Sequence, residues 1–417
     1  MMKKPKTIYP GRLMINDLPD VLLTEILARV DSHKCALTCK LVCKQWYSLI
    51  SCSDFVSRFI TLHEDHHSLI VLSMGAREGI HGHLYWCMTF IGSQDLESAW
   101  THSTSKTFGK KSECIYIKSS NNDLLLCEFE NGMHNAWYVH NPFTTEWFPL
   151  PSPPSRLVMA ITCDPSYVRD TQGRLCLQNS GRRRFKVLCI GHVRGWPRKE
   201  VAYYCSESNR WSEPVRLVNP FSLPSTNFVA YQGKFYWVAE TPVYSHHIIV
   251  YDPTGAGSEK RLCDFPAGEK CWGTGSRLAR LGVCQGSLRM MRTFWMEELQ
   301  VLTLCVWEIL IEDEEHGKIS WRLKHSIPSD QMSSQDSSLQ SIPKSKIKLL
   351  EFDPVNVGIV YLDLCDCIVS CNLTTRNLQV VSEVPSHLIS RYPYIKRDVS
   401  NMIFPLAHPC WRVPLFS

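Results

Sequence analysis

The chain contains no apolar run of about eighteen residues, so nothing in it reads as a membrane-crossing helix. Its opening residues, MMKKPKTIYPGR, are basic but lead into no apolar segment, which argues against a secretory signal and makes residues 1–15 an expected flexible leader. The G-x-S-x-G elbow is absent, as is a phosphate-cradling glycine loop, so no hydrolase or nucleotide-binding signature is legible. Net charge is only +5 over 417 residues, too little to call for nucleic acid, and the runs Lys110-Lys111 and Arg182-Arg183-Arg184 read as solvated loops. Cysteine, by contrast, is plentiful: 19 residues, an odd number with no regular framework. Without a secretory signal, that usage fits a reducing compartment (cytoplasm, nucleus or both) in which thiols act as small buried hydrophobes. Asn372-Leu373-Thr374 matches the glycosylation pattern but reads as a turn in such a setting. Apolar content of 44% and charged content of 20% are those of a soluble globular protein.

The stretch around which the rest is organised lies between Leu18 and Phe55. Pro19 can open a helix, where its missing N–H costs nothing. Leu22, Leu23, Ile26, Leu27 and Val30 then recur at helical spacing and make one apolar stripe. Asp31 and Ser32 interrupt it and offer a new N-cap. A second set follows, with Ala36, Leu37, Leu41, Val42, Trp46, Leu49 and Ile50, and Ser53 before Asp54-Phe55 looks like a third helix start. Three short helices of this size bury little surface and are marginal alone. The expectation is a small helical module, residues 16–62, that finishes its core against something else.

Leu18-Pro19, Ile26-Leu27, Val42-Cys43-Lys44 and Trp46 with Leu49-Ile50 resemble, in order and spacing, the F-box. The departure is mild: Cys39 and Lys40 stand where many members carry arginine. The resemblance implies docking on the Skp-type adaptor of cullin–RING ubiquitin ligases. Carried onto this chain, it assigns adaptor binding to Leu18, Pro19, Leu22, Ile26, Leu27, Val30, Leu37, Val42, Cys43, Trp46, Leu49 and Ile50, with Trp46 as the expected hot spot. The competing reading makes these side chains the core of a helical cap on the next domain.

Residues 63–68, HEDHHS, form a polar connector. Its histidines invite a metal assignment, but adjacent His66 and His67 on an extended segment point to opposite sides, so a solvated linker is expected. Beyond it, over 69–417, helical spacing gives way to short runs rich in β-branched and aromatic residues, divided by Gly, Pro, Asn and Asp. Strand–turn–strand units recur: Phe90-Ile91 before Trp100, Tyr138-Val139-His140 before Trp147, Val201–Tyr204 before Trp211, Ile248–Tyr251 before Asp252-Pro253-Thr254, Val306–Ile309 before Trp321, and Cys367–Ser370 before Leu378. Glycine turns entering apolar strands, as at Gly233 and Gly286, lie between them. The fold class expected is a small N-terminal all-α F-box followed by a large all-β domain, a β-propeller of about six to seven blades. The texture, chiefly N-P-x-T-x-x-W at Asn141–Trp147 and G-K-x-Y-W at Gly233–Trp237, resembles the kelch-like, F-box-associated domains of many plant proteins. Trp147, Trp211, Trp237 and Trp321 are read as inter-blade core, and the apolar end Trp411–Phe416 as a segment that completes a blade. Residues 329–346, rich in Ser and Gln, read as a disordered excursion.

Cys35, Cys39 and Cys43 stack at a spacing of four, and Cys365, Cys367 and Cys371 alternate along a strand. The first set falls inside the helical module, where small buried side chains are expected, and reads as core filling. The second, three thiols with no histidine nearby, makes a weak zinc case, so no metal and no cofactor is expected. The acidic turn Glu312–Glu315 reads as solvated. The leading function is therefore a non-catalytic substrate receptor of a ubiquitin ligase, with a Skp-type adaptor and an unidentified target protein as partners, and neither nucleic acid nor membrane. A non-degradative scaffold and a kelch-type propeller enzyme are the alternatives.

Overall fold

The computed structural model describes residues 15, 18–31, 33–63, 68–77, 84–91, 94–108, 115–131, 134–154, 158–164, 167–169, 175–177, 184–192, 199–216, 228–240, 246–253, 259–264, 279–296, 301–313, 318–340, 347–365, 367–383 and 403–407. They fall into two compact units. The first holds four helices, α1 (Asp20–Leu27), α2 (His33–Cys39), α3 (Lys44–Ser51) and α4 (Ser53–Leu62), together with a hairpin introduced below. The second holds the remaining strands.

That second unit opens with β1 (Ser68–Arg77), β2 (Leu84–Ile91) and α5 (Gln94–Phe108). Blade 1 follows as β3 (Ile115–Asn121), β4 (Leu124–Asn131), β5 (His134–Asn141) and β6 (Glu146–Leu150). In blade 2, β7 (Val158–Cys163) precedes a hairpin of β8 (Tyr167–Arg169) and β9 (Leu175–Leu177), which belongs to the helical unit. Blade 2 then resumes with β10 (Phe185–His192), β11 (Lys199–Cys205) and a divided outer strand, β12 (Arg210–Trp211) and β13 (Val215–Arg216). Blade 3 is β14 (Phe228–Tyr231), β15 (Lys234–Glu240), β16 (His246–Tyr251) and β17 (Glu259–Asp264). Blade 4 is β18 (Ala279–Cys284), β19 (Ser287–Met296), β20 (Val301–Asp313) and β21 (Lys318–Pro328). After α6 (Ser337–Gln340) comes blade 5: β22 (Lys348–Phe352), β23 (Ile359–Leu364), β24 (Cys367–Asn372) and β25 (Leu378–Glu383). Last is β26 (Ile403–Ala407), which pairs antiparallel with β1 in a three-stranded sheet of order β2-β1-β26.

The first strands of the blades are neighbours in the cyclic order β3, β7, β14, β18, β22, and β26 closes the ring between β22 and β3. Each large core cluster spans two neighbouring sheets: Leu126, Val139, Val187 and Tyr204 join blades 1 and 2, and Met291, Val306, Val360 and Leu362 join blades 4 and 5. Trp237 is buried between blades 2 and 3, and Trp211 and Trp321 pack half-buried on clusters shared by blades 1 and 2 and blades 3 and 4, in the inter-blade positions expected of them. Trp147 departs from that expectation, packing half-buried against Trp100 and Phe108 of α5 and donating from Nε1 to the Ser103 hydroxyl. The tight turns carry the residues that their geometry demands. Gly233 and Gly286 follow Gln232 and Gln285, all with positive φ, as two-residue hairpins of this twist require. The Asn141 side chain accepts the backbone N–H groups of Phe143 and Thr144, and Asn372 does the same for Thr374 and Thr375.

Three expectations need correction. There are five four-stranded blades among the described residues, not six or seven, because the first of the six sequence units is not a hairpin. Trp100 lies on α5, whose buried Leu96, Trp100 and Thr104 repeat every four residues; the helix runs beside β2. Strand β26 at Ile403–Ala407 pairs with β1, and the segment Trp411–Phe416, expected to complete a blade, lies outside the described residues. Finally, the Ser/Gln-rich excursion is ordered over 329–340, with residues 341–346 outside the described set. Met332 and Leu339 are buried in the blade 4–5 core, Ser333 bridges Asn377 in parallel, and the Ser334 hydroxyl donates to the Leu378 carbonyl. Two apolar anchors hold down a segment whose composition reads as disordered.

Candidate functional site

The helical unit is built on Leu23, Leu27, Ala28, Ala36, Ile50, Phe55, Val56, Phe59 and Ile60, all buried. Pro19 caps α1 rather than beginning it, and its carbonyl accepts the Leu23 N–H at 3.0 Å. The expected second helix is in fact two. The chain turns at Leu41-Val42, and Cys43 takes an extended conformation before α3 starts. Sequence periodicity placed Leu41 and Val42 on one continuous stripe with Trp46. The break instead turns them outward, and Leu41 becomes 84% exposed.

Polar contacts brace the bundle. The Arg58 guanidinium donates to both Glu25 carboxylate oxygens, at 2.9 and 2.6 Å, and so links α4 to α1. Arg29 pairs with the same carboxylate, and Gln45 on α3 donates to Asp20 at 2.9 Å. The hydrogen bond from Arg58, reinforced by Arg29, holds the Glu25 carboxyl down at about 2. Exposed pairs of this kind contribute little to stability but fix relative helix geometry.

The predicted docking residues do not all share one environment. Pro19, Leu22, Ile26, Leu37 and Val42 are exposed; Leu18, Val30, Cys43, Trp46 and Leu49 are half-buried. Leu27 and Ile50 are only 2% and 0% exposed and belong to the unit's own core, so their docking assignment is corrected. Trp46, the expected hot spot, packs against that same core. Ile15, Val21, Leu41 and Tyr47 are exposed and were not predicted, although the first three are apolar residues in or beside the stripes already read. The result is an uneven distribution of surface apolarity. Twelve large hydrophobic side chains among the described residues are exposed, and eight of them lie between Ile15 and Tyr47. Concentration of this kind marks an interaction surface, whereas scattered exposed apolar residues are ordinary.

Chemistry other than docking finds little support. The thiol of Cys39 is pushed up by burial and by neighbouring Cys35, the reverse of what a nucleophile or a metal thiolate needs. No cluster of three or more metal-ligating side chains occurs among the described residues. Residues 63–67 also spell H-E-x-x-H, a motif that binds zinc only when both histidines sit on one helix face. Here α4 ends at Leu62, and His63 caps it by donating from Nδ1 to the Phe59 carbonyl at 2.8 Å; residues 64–67 lie outside the described set. No described helix is long and apolar enough to cross a membrane.

Comparison with known proteins matches both parts of the chain. A family model for the F-box domain covers residues 15–58, and one described as "F-box protein At3g26010-like, beta-propeller" covers 72–401. Among curated proteins of Arabidopsis thaliana, "Putative F-box protein At3g28280" is 25% identical over 292 residues, covering 66% of this chain and 87% of that one. "F-box protein At3g28330" is 24% identical over 371 residues, covering 86% and 84%. "F-box protein At5g49610" is 27% identical over 230 residues, covering 53% and 58%.

Proposed function

The chain belongs to the F-box proteins that carry an At3g26010-like β-propeller, and from that membership we propose that it is the substrate-recognition subunit of an SCF-type cullin–RING ubiquitin ligase. In this reading the helical unit docks on a Skp-type adaptor and the propeller holds a target protein. The chain itself supplies no catalytic group. Its contribution is proximity: a lysine held near the charged conjugating partner reacts as though greatly concentrated.

One observation carries the proposal, namely the crowding of exposed apolar side chains onto α1, the α2–α3 turn and α3. Val21, Leu22, Ile26, Leu41, Val42 and Tyr47 leave that surface unfinished, and burial against a helical partner recovers about 25 cal/mol for each Å² of apolar area removed from water. Leu41 and Val42 are the preferred anchors. Both project from a turn, so replacing them removes docking area without opening a cavity. Titration calorimetry of the full chain with a Skp-type adaptor tests this. The L41D/V42D double variant should bind at least about a hundredfold more weakly, in keeping with the loss of anchors worth about 2 kcal/mol or more. An unchanged affinity in a folded variant rejects the docking face.

A further inference from the structure

The connection between the first two strands of a blade is short elsewhere in the ring. It is Asn122-Asp123 in blade 1, Gln232-Gly233 in blade 3 and Gln285-Gly286 in blade 4, and residues 353–358 suffice in blade 5. In blade 2 the same connection runs from 164 to 184. The sheet does not need this length. Strands β7 and β10 are already in register up to Cys163↔Phe185, and the Asp164 N–H donates to the Arg184 carbonyl at 3.0 Å, so a two-residue turn would close them. The extra chain forms the β8–β9 hairpin, paired from Tyr167↔Leu177 to Arg169↔Leu175, and this hairpin belongs to the unit of α1–α4. Strand β9, whose three residues Leu175-Cys176-Leu177 are all apolar, runs along α4 with Cα atoms within 8 Å.

Neither element is stable unaided. A lone two-stranded hairpin is at best marginal in water, and four short helices bury too little to fold firmly alone. Meanwhile α4 carries a broad apolar stripe of Phe55, Val56, Phe59 and Ile60. We propose that the blade 2 excursion is a resident component of the F-box unit: it backs α4 and thereby holds α1–α3 in the arrangement that the adaptor meets. The hairpin is a positioning element, and its link to adaptor binding rests on the function proposed above. The pieces connect through named contacts. Phe55 and Phe59 on α4 enter the same core as Leu23 and Leu27 of α1 and Ile50 of α3, and Arg58 clamps Glu25 next to Leu22 and Ile26. An α4 that frays would therefore blur the docking face without altering any residue on it.

The test is carried out on the full chain with residues 165–183 replaced by Asn-Gly, the turn length used in three other blades. Hydrogen exchange should then quicken about tenfold or more at the α4 amides of Phe55–Ile60, while strands β15, β16, β23 and β24 keep their protection. Affinity for a Skp-type adaptor should fall about tenfold, although every exposed apolar residue of the face is intact. Unchanged α4 exchange together with unchanged affinity overturns the proposal. Should the shortened chain also lose protection in its blades, L175D/L177D in the full-length hairpin is judged by the same two readouts, with L175I/L177I expected to behave as the parent. If the parent chain shows no adaptor affinity, the ligase reading fails, and α4 exchange still decides the role of the hairpin.

Discussion

At Gly282 on β18 the fold requires the absence of a side chain. A Cβ built there would overlap Cδ2 of Phe352 and lie 3.1 Å from Oε1 of Glu351, both on β22. Strands β18 and β22 therefore leave no room for a methyl group at this point, and Gly282→Ala should destabilise the β unit by about 1–3 kcal/mol, the usual cost of overpacking, as read by denaturant unfolding. The neighbouring Glu351 carboxyl is raised to about 7 by loss of water, against the attraction of Arg280 and a hydrogen bond from the Phe352 N–H. A folded value above the unfolded one means that the neutral form is favoured by folding. The associated stability is full below about 4.5 and is lost as pH rises through about 7. Buried His140 works in the opposite direction. It stacks on Trp147 at 3.9 Å, its Nδ1–H donates to the Glu146 carbonyl, and burial holds it down at about 3, so its contribution is lost as pH falls below its ordinary value of 6.5. Between about 4.5 and 6.5 these two slopes oppose one another, so thermal melting followed from pH 5 to 8.5 should vary little in the parent chain. Glu351→Gln should leave the His140 slope unopposed, so that melting temperature falls as pH is lowered from 6.5 to 5; a variant as flat as the parent contradicts the assignment.

Individual elements show how far the sequence could be read. Five of the six strand–turn–strand units around Trp147, Trp211, Asp252, Trp321 and Leu378 are the third and fourth strands of the five blades. Local turn chemistry fixes those hairpins, so they are legible without tertiary information. The unit at Phe90-Ile91 carries an aromatic, Trp100, at the right distance from a strand, but Leu96, Trp100 and Thr104 follow a helical period instead. On the helical side, the apolar positions and the α4 start at Ser53 were visible, whereas the break at Leu41-Val42 was not: no proline or glycine marks it. That one turn separates a buried Ile50 from an exposed Val42 within what looked like a single stripe. The Ser/Gln strap misled because composition averages over a segment that two side chains can anchor. Leu339→Ala should cost about 2–5 kcal/mol and expose residues 331–340 to protease, since Leu339 is fully buried in the blade 4–5 core. If the strap resists cleavage in that variant, its anchorage lies elsewhere.

For the molecule as a whole, the ring is closed by non-local pairing: β26 from near the C-terminus lies against β1, some 330 residues earlier. Leu406 contributes to the core beside blade 1, so truncation before Ile403 should leave β1 and β3 without their neighbour and lower the melting temperature of the whole β unit. Local loss confined to β1 and β2 would contradict cooperative closure. The helical unit follows a different design, with its core complete on one side and its apolar surface open on the other. Its purpose is tested most directly by hydrogen exchange of the full chain with and without a saturating Skp-type adaptor. Binding should slow exchange across α1, the Leu41-Val42 turn and α3 and leave the blade strands unchanged. If those amides exchange equally fast in both samples, the open face is not where an adaptor docks.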